Sequence, residues 1–249
     1  MVKKLSRSTQ IYFTLVAILG LLTGINVFLS QSSFLPDIPQ AAPPKSVIAL
    51  VNALTILIVY GGLGFLGLKL SFKLDIPALW DRKISNQQRF IIPALKGGIL
   101  GIFFIVADLI LQQFHDLGGF SHPPFPTSII SSINAAIGEE IIFRLFLIPF
   151  GVWLISNILL KKRGQSSIFW FVSTISAVAF SLAHLPAVLL MFNVKAVSEI
   201  PTAIMIEILL LNGILSFLAS YYFKKFGFLA AVSLHFWTNV VWHVIWGLI

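Results

Sequence analysis

Seven uninterrupted apolar runs constrain this chain more than any other feature of its sequence. They fall at approximately 11–30, 47–70, 91–113, 128–160, 167–191, 202–223 and 227–248, and each is long enough to cross about 30 Å of hydrocarbon as a helix. Of the 249 residues 57% are hydrophobic and 10% charged, where an average soluble domain carries about 25% charge. The expected fold class is therefore all-α, a polytopic membrane helix bundle of about seven transmembrane helices with eight as the alternative. With no internal repeat, low-complexity tail or soluble appendage in view, a single integral membrane domain is expected over 1–249.

The net charge of +8 does not point to nucleic acid, because the basic residues stand in short clusters between the apolar runs and form no basic face. They read as topology signals. With the N-terminus placed in the cytoplasm, thirteen Lys and Arg fall inside, at 3, 4, 7, 69, 73, 82, 83, 89, 161–163, 224 and 225, and only Lys45 and Lys195 fall outside. That asymmetry predicts an N-in orientation and, with an odd helix count, an external C-terminus. The first run is longer than a signal-peptide core and "FLSQSSF" offers no small-x-small cleavage site, so a retained signal-anchor is expected. The Pro-rich stretches "LPDIPQAAPPK" (35–45) and "GGFSHPPFPTS" (118–128) then lie outside, where Pro gives stiff extended connections; an ordinary connector is the leading expectation for the second, with a cap over a cavity as the alternative. The chain has no cysteine, which removes disulfides, thiolate nucleophiles and cysteine metal sites. The N-terminal "MVKKLSRSTQ", without an organelle-type extension, suits a prokaryotic plasma membrane.

Against this background the segment "AAIGEEIIFRLFLIPF" (135–150) is costly, since each charge near a bilayer centre forfeits about 2.5–3.5 kcal/mol on insertion scales. Glu140 and Arg144 are i and i+4 on one helix and can pair, whereas Glu139 is turned about 100° away and keeps its carboxylate for another task. Two further helices carry polar groups: His184 closes "FSLAH" one turn after Phe180, and "HFWTN" projects His235 and Asn239 together. Asp108, Glu207, Asn212 and His243 read as packing or polar glue. Taken jointly, a free carboxylate, two imidazoles and an amide, with a carboxylate–guanidinium pair beside them, form the inventory of a hydrolase. A carboxylate in a dehydrated pocket can take a proton from water while imidazole and amide N–H groups stabilise an oxyanion. No G-x-S-x-G elbow supports a serine route. The competing readings are a small proton-coupled transporter, because intramembrane Glu, His and Asp also mark proton paths, and a non-catalytic membrane scaffold.

"EEIIFR", "FSLAH" and "HFWTN" resemble the E-E-x-x-x-R, F-x-x-x-H and H-x-x-x-N motifs of the CPBP family, the type II CAAX prenyl endopeptidases and bacteriocin-processing intramembrane proteases. The three occur in order, one per helix, over about 128–245. The resemblance implies an endopeptidase in which Glu139 and His184 activate water, His235 and Asn239 polarise the scissile carbonyl and bind its oxyanion, and Glu140 with Arg144 is a supporting ion pair. It favours a metal-free mechanism, with zinc held by the two histidines and a glutamate as the alternative. The implied partners are a peptide or protein substrate, prenylated in the eukaryotic branch, and the lipid bilayer. Phe143 stands where family members often carry glycine or tryptophan, which reads as a difference in pocket shape. Many relatives have an eighth helix, and a break of the long fourth run at Pro149 would make up the count.

Overall fold

The computed structural model of the chain describes residues 6–29, 43–77 and 79–249. Among them seven helices are long and apolar enough to cross a membrane: α1 Arg7–Asn26, α2 Lys45–Lys73, α3 Gln87–Phe114, α4 Thr127–Leu159, α5 Gln165–Met191, α6 Thr202–Phe226 and α7 Phe228–Leu248. No strand occurs among the described residues. Most of the first Pro-rich stretch lies outside those residues. Large apolar side chains cover much of the surface, Leu21, Ile58, Leu95, Ile99 and Leu159 among them, as expected where lipid replaces water.

Local chemistry sets the helix ends. Ser6 caps α1 by accepting the Thr9 N–H at 3.2 Å. α6 closes on Lys224 and Lys225, which suit the negative end of its dipole, and Gly227 takes φ +83° to turn the chain directly into α7. Thr127–Leu159 is one helix, as the unbroken apolar run 128–160 predicts, and the alternative of a break at Pro149 is not realised. π-helical turns at Ile141–Leu147 and Trp153–Leu159 flank the proline, and the wider register re-satisfies carbonyls that its missing N–H would orphan. α5 does break: its first segment ends at Leu182 and a second runs Leu185–Met191, with Pro186 in the first turn of the second.

α7 is the centre of the bundle and packs against α3, α4 and α6, while α4 also packs against α1 and α2. α3 and α7 approach so closely that a Cβ at Gly97 would run into the Leu234 carbonyl, one residue before His235. Small residues at such crossings let backbones approach within lipid, where association rests on close packing. Phe180, Leu145, Ile148 and Leu234 fill the buried interior around the polar residues of α4, α5 and α7.

Candidate active site

Glu139, His184, His235 and Asn239 line one cavity of about 340 Å³ between α4, α5, α6 and α7. Its floor is ionic. Arg144 and Glu140 are both fully buried, with Arg144 Nε 3.2 Å from Glu140 Oε2. The guanidinium lies over the Phe180 ring, 4.6 Å from its centroid, so an aromatic face adds to the pairing. Glu140 does more than balance Arg144, because its other oxygen, Oε1, is 2.9 Å from His235 Nδ1. As the counter-ion of Arg144 this carboxylate only accepts, so Nδ1 carries the proton and Nε2 turns toward the cavity.

His235 Nε2 lies 3.7 Å from Glu139 Oε2. The two adjacent glutamates occupy different environments, as their 100° separation requires: the Glu140 side chain is 0% exposed and that of Glu139 33%. His184 stands at the break in α5, where its Nδ1 lies 2.8 Å from the Phe180 carbonyl. A carbonyl cannot donate, so Nδ1–H does, and the neutral ring presents the Nε2 lone pair. The Phe180 ring touches both imidazoles, 4.9 Å from that of His184 and 5.8 Å from that of His235.

Several lining residues were not expected there. Glu207, Asn212 and His243 face the same cavity instead of serving only as packing, and Phe120, Ser121 and Pro123 bring the second Pro-rich stretch over it. That stretch is a strap, not an ordinary connector. His122 Nδ1 is 3.1 Å from His243 Nδ1, the His122 ring stands edge-on to Trp242 at 4.8 Å, and the Phe120 ring packs on Phe192 at 5.3 Å. Asp108 and Glu207 are signalled in sequence only as isolated ionisable residues within spans, which is itself the mark of a functional position in lipid. Among the described residues no three His, Asp or Glu side chains form a metal-ligand set.

Residues 121–241, nearly half of the chain, match the family described as Rce1-like, Type II CAAX prenyl endopeptidase Rce1-like. Over those residues the chain is similar to the type II CAAX prenyl endopeptidases. The matched segment runs from the strap to α7 and contains all three motifs. This family is one of CAAX-type intramembrane proteases, so the protein is an integral membrane protein with a hydrolase domain whose substrates are peptides or proteins at the membrane. No curated protein and no solved structure matches the chain.

Proposed function

We propose that this type II CAAX prenyl endopeptidase relative hydrolyses an internal peptide bond of a peptide or lipidated peptide by a glutamate-activated water. One observation carries the reading: Glu139, the exposed member of the glutamate pair, opens into a cavity that it shares with His184, His235 and Asn239. Water held between the Glu139 carboxylate and the His184 Nε2 lone pair gives a proton to Glu139 as its oxygen adds to the scissile carbonyl. The Asn239 amide and a protonated His235 Nε2 donate to the oxyanion. Collapse of the tetrahedral intermediate breaks the C–N bond, and Glu139 returns the proton to the departing amine. Glu140 acts through His235, holding its Nδ1–H and thus the direction of Nε2.

Orientation follows from the distribution of Lys and Arg. The clusters near α1, between α2 and α3, between α4 and α5, and at the end of α6 support a cytoplasmic side for those helix ends, in a prokaryotic cell by this reading. The cavity lies toward the opposite ends, beneath the 115–126 connector, which carries neither Lys nor Arg. The site then faces the extracytoplasmic half of the bilayer.

Glu139→Gln tests the chemistry. In liposomes it should abolish cleavage of a quenched peptide while leaving the thermal unfolding of the protein unchanged. Full proteolysis by Glu139→Gln would overturn the mechanism.

A further inference from the structure

We propose that the carboxyl pair Asp108–Glu207 is a subsite of this cavity that receives a cationic group of the substrate, a lysine or arginine side chain or a free amine. This rests on reading the cavity as the protease site. Asp108 on α3 and Glu207 on α6 are 3% and 2% exposed. The two carboxyls act on each other electrostatically, and the strap passes beside Asp108, whose Oδ2 would lie 3.3 Å from a Cβ at Gly119. Glu207 faces the cavity, and no N–H or hydroxyl donates to either of its oxygens.

The contrast with Glu140 decides the assignment. Glu140 is as deeply buried, yet it has a guanidinium on one oxygen and an imidazole on the other. Among the described residues the ion pairs join Glu139, Glu140, Arg144 and His235 only, and no Lys or Arg lines the cavity. A carboxyl pair in low dielectric lowers its own repulsion by sharing one proton, which still leaves one negative charge that no Lys or Arg of the cavity balances, His115 being the basic group that bears on Asp108. Residues that serve only as polar glue satisfy themselves within the protein, as Thr238 does by donating to the Leu234 carbonyl at 2.9 Å. Glu207 is instead aimed at space that a ligand would fill.

The walls next to it, Phe104, Ile208 and Leu211, are apolar. Apolar walls ending in a carboxylate suit an aliphatic stem tipped with an ammonium or guanidinium group.

Paired series of short, apolar, amidated, internally quenched peptides, with lysine or the isosteric norleucine at successive positions around the cut, test the subsite on the full chain in liposomes. At one position lysine should raise kcat/KM by about tenfold, mainly through KM, and Glu207→Gln should reduce that preference to about threefold or less. Asp108→Asn should do the same, and it serves where Glu207→Gln fails to fold. Binding of both series to the Glu139→Gln protein, read by fluorescence anisotropy, supplies a readout that does not depend on turnover. Preferential binding of the lysine series without cleavage by the unsubstituted chain would sink the protease reading and keep the subsite. Equal binding of the two series, or a lysine preference that survives both substitutions, would overturn the subsite.

Discussion

His235 Nδ1 and Glu140 Oε1 lie 2.9 Å apart, and the same carboxylate holds Arg144 through its second oxygen. Glu140 is therefore a bridge between the ion pair and the imidazole that faces Glu139, so its loss and the loss of Arg144 have different consequences. Arg144→Ala strips a fully buried carboxylate of its counter-ion and should destabilise the protein by about 3–5 kcal/mol. Glu140→Gln with Arg144→Met, which removes both charges, should recover much of that loss in thermal unfolding. Glu140→Gln alone should also lower kcat by about a hundredfold, because a neutral amide supports the protonated His235 ring less well than a carboxylate does. Unchanged kcat in Glu140→Gln would separate the ion pair from the chemistry.

The sequence made the helix-local part of this arrangement legible. Glu140 and Arg144 are one turn apart, as are His235 and Asn239, so the helical period alone puts each pair on one face. The bond from Glu140 to His235 spans 95 residues, and nothing in either local pattern announces it. Asp108 and Glu207 show the same limit, each being a lone acid on its own helix until α3 and α6 bring them together. Pro149 leaves the fourth span whole because the proline penalty is local and the π-helical turns beside it absorb the penalty within one helix. The strap looked like a connector because proline-rich composition describes stiffness and says nothing of what lies beneath. Hydropathy placed all seven spans to within a few residues, since length and apolarity are all that a span requires.

Asn239 is buried beside the cavity, on the face of α7 that carries His235. If its amide donates to the oxyanion, it acts in the transition state far more than in the ground state. Asn239→Ala should then lower kcat by about a hundred- to a thousandfold with KM little changed. Steady-state kinetics on one quenched peptide read both constants. A variant that raises KM and keeps kcat would make Asn239 a binding residue instead.

The orientation of the bundle is open to direct labelling, because the chain has no cysteine to give a background. Asp116→Cys lies in the exposed connector above the cavity, and Lys162→Cys lies in the exposed turn between α4 and α5. In intact spheroplasts a membrane-impermeant maleimide should label Asp116→Cys at once and Lys162→Cys only after permeabilisation. The reverse pattern would put the cavity on the cytoplasmic side and change which peptides can reach it.

The strap adds a pH dependence whose sign is fixed by His122. Burial pushes this imidazole down from 6.5 to about 4. Released from its seat, the strap binds a proton between those two values that the docked strap does not, so docking is complete above about 6.5 and weakens as pH falls toward 4. The partner geometry agrees, because the Nδ1 atoms of His122 and His243 face each other at 3.1 Å and one of them must accept. His122 is partly exposed, so solvent moderates the effect, and amide exchange across 118–126, corrected for intrinsic rates, should rise by about tenfold between pH 7.5 and 5. His122→Phe keeps a ring against Trp242 and removes the titration, and its exchange should no longer depend on pH. Equal pH dependence in the original chain and in His122→Phe would show that another group controls the strap.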